Sequence, residues 1–305
     1  MFLCCGEAVI DMIPETARDG APVFRPVPGG AALNTAIALA RLDQPVGFFG
    51  GLSDDVFGRT LRDAMAGEGI DLGRAPILDS PTTLAFIHRT ETSQSFSFYD
   101  QDSATRSLSP LHLPPLDGIS TLVFGGFCLI HRPAAGAFEA LMQMAGAERV
   151  ILLDPNIRPA LIAEQDADYR KRLDRMMAMA DVIKLSDEDI DWLRPDPPEQ
   201  LLTGRASVVI HTHGSDGVTL FTRHGAQHVP APAAKVSDTV GAGDTFNAGF
   251  LTGLAQADLA TPADLARADL TTLRGAAEKG VRAATLSVTR PGANPPTLKE
   301  LSCAP

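Results

Sequence analysis

The sequence predicts an α/β fold in which helices cover both faces of a mostly parallel central sheet, giving three layers, α/β/α. Short apolar runs alternate along the chain with longer segments whose apolar residues recur at helical spacing. The short runs are apolar throughout, as in strands that are buried on both faces. The chain has 305 residues, of which 45% are hydrophobic, so a sizeable core can form.

The elements follow from this alternation. The predicted strands are Phe2–Ile10, Val46–Phe49, Thr121–Phe124, Val150–Leu153, Val182–Leu185 and Val208–His211. The predicted helices are Ala31–Leu42, Val56–Gly67, Ala134–Gly146, Asp168–Ala180, and about Ala242–Ala257 and Pro262–Ala284. A hairpin is predicted after the strand Val208–His211. The sequence there, HGSDGVTLF from His213, contains a glycine turn followed by a second apolar run.

Two segments depart from the pattern, Met12–Val27 and Thr82–Ser107. The second contains TTLAFIHRTETSQSFSFYDQ, where apolar and polar residues alternate as in a half-exposed antiparallel sheet. We expect one main domain over residues 1–305, with a small β lid built from about 12–27 and 82–107. Such a lid would exclude water from a site that it covers.

Composition excludes several classes of partner. The formal net charge of −11 repels nucleic acid, and no apolar run approaches the roughly 20 residues of a membrane span.

Cys4, Cys5, Cys128 and Cys303 show no CxxC spacing. The start of the chain has no basic leader, and we expect a reduced, cytoplasmic protein.

The segment DTVGAGDTFNAGF, Asp238–Phe250, is the most informative in the chain. The small residues Gly241, Ala242 and Gly243 stand immediately before a helical pattern, where free N–H groups and the helix dipole form an anion site. Asp244 in the first turn could accept a proton from an attacking hydroxyl. Taken alone, the same carboxylate could simply cap the helix.

The full segment closely resembles the C-terminal signature of the ribokinase-like (PfkB) carbohydrate kinases. The resemblance implies a ribokinase-like fold, with Asp244 as the catalytic base and the amides of Gly241, Ala242 and Gly243 as the anion hole. It also implies ATP and Mg²⁺ as cosubstrate and cofactor. Neither GxxxxGK[ST] nor GxGxxG occurs to support another nucleotide fold.

The resemblance extends to the N-terminal third. Gly29, Gly30 and Asn34 resemble the sugar-binding GGxxxN turn and helix of the family, although a glycine turn before a core helix also explains the two glycines. Asp11 ends the first strand and resembles the carboxylate that accepts two sugar hydroxyls, a role that suits an acceptor-only group. The alternative for Asp11 is an exposed turn residue. The stretch Gly51–Gly58 resembles another family motif, and we expect it to be mainly structural.

The motif DPNIRP, from Asp154 to Pro159, resembles an element of fructokinases and 2-keto-3-deoxygluconate kinases. By this resemblance Arg158 would bind the transferring phosphoryl group, while Asp154 and Asn156 would orient neighbours or solvated magnesium. Turn chemistry around the prolines is the simpler alternative. Tyr99, in the lid, occupies the place of a substrate-binding tyrosine.

Nucleotide contacts are also implied by the resemblance. Lys184, Ser186 and Asp189 occupy the place of the NxxE motif, which organises magnesium and phosphate, although Ser186 is equally a plausible helix N-cap. The segment from Thr212 to Gly217 resembles the family's TxGxxG motif. The implied nucleotide-binding residues are Lys184, Ser186, Thr212, His213, Gly214, Gly217, Ala283 and Ala284, with Asp189 on the metal.

A potassium site is expected in this chain, whereas a metal site at its two neighbouring histidines is not. The family often binds a monovalent cation beside the anion hole, which implies a potassium site at Asp238, Val240 and Gly292. His211 and His213 would share one strand face, but no third ligand is apparent in the sequence, so we do not expect a metal there.

The acceptor is expected to be a neutral ketohexose, fructose first. Asp100 and Asp102 stand where the family's YRxxSA motif has an arginine and its neighbours, and two unpaired acids would repel a sugar carboxylate. 2-Keto-3-deoxygluconate kinase and ribokinase-type activities remain alternatives. A sensor that binds sugar without turnover and a Rossmann oxidoreductase are two further alternatives, disfavoured by the intact GAGD and the missing GxGxxG. Pairing of lids would give a homodimer.

Overall fold

An eight-stranded mixed sheet forms the centre of the protein in a computed structural model, which describes residues 1–89, 94–162, 167–194 and 197–303. The described strands, in chain order, are β1 Phe2–Cys5, β2 Val9–Thr16, β3 Pro22–Gly29, β4 Val46–Phe49, β5 Leu52–Ser53, β6 Ile77–Leu78, β7 Leu84–Arg89, β8 Gln94–Tyr99, β9 Thr121–Gly125, β10 Val150–Asp154, β11 Val182–Ser186, β12 Val208–Thr212, β13 Val218–Thr222 and β14 Gly225–Val229. The central order is β14-β13-β12-β11-β10-β9-β1-β4. Neighbours from β12 to β4 are parallel, whereas β13 and β14 pair antiparallel.

Helices lie on both faces of this sheet. They are α1 Ala31–Arg41, α2 Val56–Gly67, α3 Ala104–Ser107, α4 Ala134–Ala145, α5 Ala167–Met179, α6 Asp187–Leu193, α7 Ala242–Gln256, α8 Pro262–Arg267, α9 Leu270–Val288 and α10 Leu298–Cys303. Alternate residues of β1 enter two separate cores: Cys4 lies in the core that contains Phe250 of α7, and Cys5 in the core that contains Phe138 of α4. The three-layer prediction is therefore confirmed. Among the described residues, no helix combines the length and apolarity of a membrane span.

A second, four-stranded sheet has the order β3-β2-β7-β8 and is called the small sheet below. Its outer pairs are antiparallel, as predicted, but β2 and β7 pair in parallel, with Ile10 opposite Leu84. Asp55, the N-cap of α2, accepts hydrogen bonds from the backbone N–H and the hydroxyl of Thr82 at 2.8 and 2.7 Å, which ties the base of β7 to the main domain. Residues 90–93, inside the expected lid segment, lie outside the described residues.

Two predicted elements were wrong in their extent. The segment Phe2–Ile10 is two strands, because the chain leaves the main sheet after Cys5 and enters the small sheet at Val9. The predicted helix Pro262–Ala284 is interrupted at Ala268, which is extended, and Asp269 caps a new helix by accepting a 2.7 Å hydrogen bond from the N–H of Thr272. The sequence gave no clear signal for this break, because Asp269 follows Arg267 within a continuous helical pattern and neither Gly nor Pro separates the two helices.

Candidate active site

Asp244 lies in the first turn of α7, at the carboxyl-end edge of the parallel strands. Gly241 precedes this helix with φ 74°, a left-handed conformation that glycine adopts at low cost, and a Cβ there would lie 2.9 Å from that of Ala293. Within the described residues, the N–H groups of Gly241, Gly243 and Asp244 make no hydrogen bond, whereas that of Ala242 donates to the carbonyl of Thr239 at 3.2 Å. Three free donors therefore surround the predicted base.

Asp244 is only 7% exposed. Burial raises its pKa to about 7, although the hydrogen bond from Asn34 and the positive charges of Lys184 and Arg158 act in the opposite direction. Nδ2 of Asn34, on α1, donates to Oδ2 of Asp244 at 3.0 Å. The group can therefore both hold and release a proton near neutral pH.

A buried polar cluster lies beside Asp244. Nζ of Lys184, in the middle of β11, is 3.0 Å from Oδ2 of Asp154, at the end of β10. Nδ2 of Asn247 donates to the same oxygen at 2.8 Å. Burial alone would lower the pKa of Lys184, but the carboxylates of Asp154, Asp189 and Asp244 raise it, so the ammonium is charged. A Cβ at Gly243 would lie 3.1 Å from Nζ of Lys184, which leaves room for the cation beside the free amides.

The cluster borders a cavity. Oδ1 of Asp154 and Oδ1 of Asn247 are buried without a hydrogen-bond partner in the described structure. Unsatisfied acceptors of this kind are expensive unless a ligand, ion or water completes them. The residues lining the cavity are Ala31, Ala32, Thr35, Val123, Phe124, Gly125, Asp154, Asp244 and Asn247. Asn247 was not among the predicted site residues, although its place about one turn after Asp244 on the same helix was a usable signal.

The predicted sugar-binding residues converge on one corner. Asp11 is in β2 and Gly29 ends β3, and a Cβ at Gly29 would overlap Oδ2 of Asp11. Gly30, with φ 107°, caps α1, and a Cβ there would lie 2.6 Å from the carbonyl oxygen of Glu7. Burial raises the pKa of Asp11 to about 6. Because Gly29 and Gly30 have no Cβ, the Asp11 carboxylate can lie against the end of β3, and the start of α1 can lie against the carbonyl of Glu7.

Arg158 follows β10 in an irregular turn that contains Asn156, which is left-handed at φ 48°. The guanidinium donates to the carbonyls of Asn156 and Ile157 at 3.3 and 3.1 Å. Both acceptors are backbone carbonyls of the turn that carries Arg158, so the side chain can exchange them for a ligand. Its charge lowers the pKa of Asp244.

Asp189 does not fit the predicted role of a metal ligand. Its Oδ1 accepts a 2.7 Å hydrogen bond from the N–H of Ile157, and its Oδ2 accepts from the N–H and hydroxyl of Ser186 at 2.8 and 2.6 Å. The residue is 1% exposed. Both oxygens are thus used inside the protein. Ser186 is the N-cap of α6 in a capping box with Asp189, the structural alternative left open above, and the pair fixes the turn that carries Arg158.

The predicted nucleotide segment forms a tight turn after β12. The N–H of His213 donates to the carbonyl of Gly217 at 2.8 Å, and Gly214 and Gly217 have φ values of 55° and 100°. Thr212 ends the strand, with its hydroxyl 3.4 Å from the carbonyl of Leu185. The turn lies at the same edge of the sheet as Ser186, since Thr212 and Ser186 are opposite each other in the parallel pair β11–β12.

The two alanines of α9 differ from each other. Ala283 is fully buried, and its Cβ would lie 3.0 Å from a Cβ at Gly249 of α7. Its side chain is therefore taken up by helix packing, which corrects the prediction that it lines an adenine pocket. Ala284 is partly buried, and for this residue the nucleotide contact stays a prediction.

Two segments meet at the predicted potassium site. Oδ1 of Asp238 accepts from the N–H of Val240 at 3.1 Å, and Oδ2 accepts from the N–H of Gly292 at 3.1 Å. Gly292 is left-handed, with φ 66°. The carboxylate thereby holds the late loop next to the chain that leads into Gly241.

Tyr99 and its neighbours lie on the small sheet. Tyr99 is 66% exposed, and its ring contacts Phe86 edge-on, with the ring centroids 5.3 Å apart. Oδ1 of Asp100 is 3.5 Å from Nη1 of Arg106. One of the two acids that were expected to repel a sugar carboxylate is therefore paired, which weakens that argument for a neutral sugar.

The expectation that His211 and His213 lack a third ligand was wrong. Asp187, the first residue of α6, brings its carboxylate to both rings, so that one ligand atom from each of the three residues lies within 4.8 Å of the others. Asp187 directly follows β11, the parallel neighbour of β12, and sequence spacing could not show that the two strands are adjacent.

Comparison with known proteins decides the family. The model of the pfkB family carbohydrate kinases matches residues 1–300. The chain belongs to the pfkB family of carbohydrate kinases. It is 39% identical over 280 residues to a fructokinase of Rhizobium leguminosarum bv. trifolii, which covers 90% of this chain and 86% of the relative.

Solved pfkB-type structures agree with this assignment. The fructokinase of Xylella fastidiosa with bound ATP superposes with a TM-score of 0.90 at 29% identity, covering 99% of this chain and 96% of the other. A Vibrio cholerae fructokinase, in a form with bound fructose, ADP and calcium ion, has a TM-score of 0.79 at 26% identity, covering 96% of this chain and 94% of the other. A double mutant of that enzyme was solved with fructose, ADP and potassium ion. The predicted ribokinase-like fold and carbohydrate kinase activity are thereby confirmed.

Proposed function

We propose that this pfkB-family enzyme is an ATP-dependent fructokinase, with Asp244 as the base that activates a fructose hydroxyl. One observation carries the proposal: a buried carboxylate with a pKa of about 7 lies among free backbone amides, next to a cavity with unsatisfied polar atoms. The similarity to fructokinases directs the choice of acceptor.

In the proposed reaction, the fructose hydroxyl oxygen forms a bond to the γ-phosphorus, and the bond from that phosphorus to the β,γ-bridging oxygen breaks. The hydroxyl proton passes to Asp244, and ADP leaves with the bridging oxygen. A base with a pKa near the working pH suits this transfer, because it is ionised before the reaction and retains useful basicity. Asn34 holds Oδ2 of Asp244 in place by the 3.0 Å hydrogen bond.

The phosphoryl side relies on positive groups that surround the base. The N–H groups of Gly241 and Gly243 are free to bind the transferring oxygens, and the N-terminus of α7 adds its dipole. Arg158 supplies a planar donor pair from the turn after β10. We propose that the ammonium of Lys184 also stabilises the negative charge of the phosphoryl group, because it lies beside Gly243.

Mg²⁺ would neutralise phosphate charge when bound with ATP. Carboxylate oxygens are the hard donors this ion prefers, and the buried, unpartnered Oδ1 of Asp154 fits a coordinated water of the ion. We therefore transfer the magnesium role proposed for Asp189 to Asp154. Asn156, in the adjoining turn, would bind another water or a substrate hydroxyl.

Potassium is proposed at Asp238, Val240 and Gly292. The residues there offer a carboxylate and backbone carbonyls, a donor set for hard cations. The observed hydrogen bonds of Asp238 already hold these segments together. A cation there would stiffen the approach to Gly241 and so the anion hole.

Asp11, Gly29, Gly30 and Asn34 form the proposed fructose subsite, with Tyr99 contributing from the small sheet. An ionised Asp11 accepts two hydroxyl protons without donating any, as adjacent sugar hydroxyls require. 2-Keto-3-deoxygluconate remains the second acceptor, because Arg106, paired with Asp100, is a cation that a sugar carboxylate could recruit.

Nucleotide contacts are proposed for Ser186, Thr212, His213 and Ala284, with glycines Gly214 and Gly217 shaping the turn. Residues 1–305 are proposed as one kinase domain, with the small sheet as its lid. Exposed Phe24, Phe96 and Tyr99 on that sheet support pairing of two lids in a homodimer. The requirement for ATP supports a cytoplasmic location.

The test is release of ADP from ATP and Mg²⁺ with fructose, 2-keto-3-deoxygluconate and ribose as acceptors. The proposal expects kcat/KM for fructose to exceed that for the other two by at least tenfold. A higher kcat/KM for the sugar acid would replace fructokinase by the second candidate, and no ADP release with any acceptor would contradict kinase activity in this chain.

A further inference from the structure

Asp187, His211 and His213 form a cluster outside the polar groups around Asp244. His211 and His213 lie on one face at the end of β12, with ring centroids 4.0 Å apart. Nε2 of His211 is 2.8 Å from Oδ1 of Asp187, and Nδ1 of His213 is 3.5 Å from the same oxygen. One carboxylate thus faces two imidazole nitrogens.

The ring of His213 is held by a hydrogen bond to a neighbouring strand. The other nitrogen of His213, Nε2, is 2.9 Å from the hydroxyl of Thr219, on the neighbouring strand β13. Nitrogen Nδ1 of His213 then remains available to a ligand, as in metal sites where the far ring nitrogen is bonded to a protein group.

The spacing fits a small divalent ion. Tetrahedral Zn²⁺ at about 2.0–2.1 Å from nitrogen and oxygen ligands places those ligand atoms about 3.3 Å apart. The two measured separations, 2.8 and 3.5 Å, bracket this value. Asp187 has a side chain that is 64% exposed, which allows the small adjustment needed and keeps a fourth position open to water.

We propose that Asp187, His211 and His213 bind a first-row transition metal ion, with Zn²⁺ as the ion the geometry fits best. Two imidazoles and one carboxylate with an open position form a donor set of zinc sites with a solvent ligand. The site does not depend on the proposed kinase function. It lies beside the turn from Thr212 to Gly217, so a bound ion would also fix the position of His213.

A direct test is calorimetric titration of the metal-stripped full chain with Zn²⁺ alone, without nucleotide or sugar. The wild type is expected to bind one ion per chain in a saturable step. His211→Gln and His213→Gln should each weaken that step by at least tenfold. His224→Gln and Cys303→Ser remove an exposed imidazole and an exposed thiol elsewhere, and should leave it unchanged.

Folding of each variant is checked by circular dichroism, and Co²⁺ provides an independent readout. Cobalt bound to the wild type should show the visible absorption of a four- or five-coordinate site, and this absorption should be lost in Asp187→Asn. Absence of saturable zinc binding in the wild type would overturn the proposal. Undiminished binding in both folded histidine variants would also overturn it.

Discussion

Asn34, near the start of the first long helix, donates a 3.0 Å hydrogen bond to the carboxylate of Asp244, which lies 210 positions later. The bond joins the proposed sugar subsite to the proposed base. It also lowers the pKa of Asp244, against the larger effect of burial. Asn34 therefore has two separable roles, one in binding the sugar and one in setting the ionisation of the base.

Replacing Asn34 by alanine should move the ionisation of Asp244. In the wild type, kcat/KM for fructose should rise with pH as Asp244 loses its proton near pH 7. Without the donor, the charged form loses a partner, so the acid limb should shift to higher pH in Asn34→Ala. The pH profile of kcat/KM measures this, with Asn294→Ala, remote in its contacts with Arg41, as control. An unshifted limb in Asn34→Ala would contradict the coupling.

Asp244 should also make the stability of the enzyme depend on pH. Its pKa of about 7 in the folded chain lies above the ordinary value of 3.8, so the folded state holds the proton more tightly. The stabilisation is complete below pH 4 and is lost as pH rises to about 7. Asparagine at position 244 does not ionise, so Asp244→Asn does not lose this stabilisation. The unfolding free energy of the variant minus that of the wild type should therefore be more favourable at pH 8 than at pH 5, by on the order of 1 kcal/mol or more. Urea denaturation at both pH values measures this; equal differences would argue against a raised pKa.

Gly29 should be required for the position of Asp11. A methyl group at Gly29 would overlap Oδ2 of Asp11, so Gly29→Ala should displace the carboxylate and raise KM for fructose by about tenfold, equivalent to roughly 1.4 kcal/mol. The matched control is Gly275→Ala in α9, where an added Cβ meets no atom within 4 Å. Steady-state kinetics of both variants decides. Equal KM values in the two would show that Asp11 does not hold the sugar.

Lys184 should be needed to balance buried charge. Its ammonium is 3.0 Å from Asp154, and both side chains are 5% exposed. Lys184→Met leaves Asp154 without its cation, which should cost about 3–5 kcal/mol in unfolding free energy. Lys299→Met, at an exposed position, serves as control. Denaturant unfolding is the measurement, and a loss no larger than that of the control would show that Asp154 is balanced by other groups.

The strongly periodic elements were predictable from the sequence. Val46–Phe49 and Val56–Gly67 have the predicted bounds, because a continuously apolar run and an amphipathic repeat each end at clear turn signals. The break at Ala268 was not predictable, since a single extended residue interrupts an otherwise helical pattern. The passage of Phe2–Ile10 from one sheet to another depends on pairing with Leu84, a long-range choice.

The site divides in the same way. Asp244 and its glycines were recognisable because the motif is contiguous, and Gly29 because it precedes a helical pattern. The prediction that Asp11 ends a strand was wrong, since Asp11 is the third residue of β2. Contacts between distant segments, such as those that bury Asp189, could not be read from spacing. The same holds for Asp187, which the parallel pairing of β11 with β12 brings to His211. The sequence therefore predicted residues within contiguous motifs better than it predicted which distant residues contact them.

The most direct measurement of the central claim is steady-state kinetics of Asp244→Asn with fructose and ATP. The substitution keeps the size and the contact with Asn34 but removes the base. Turnover should fall by roughly 10²–10⁴ while KM for fructose stays near the wild-type value. Asp258→Asn, at an exposed position after the same helix, should turn over normally. Turnover of Asp244→Asn within a few fold of wild type would contradict the assignment of Asp244 as the catalytic base.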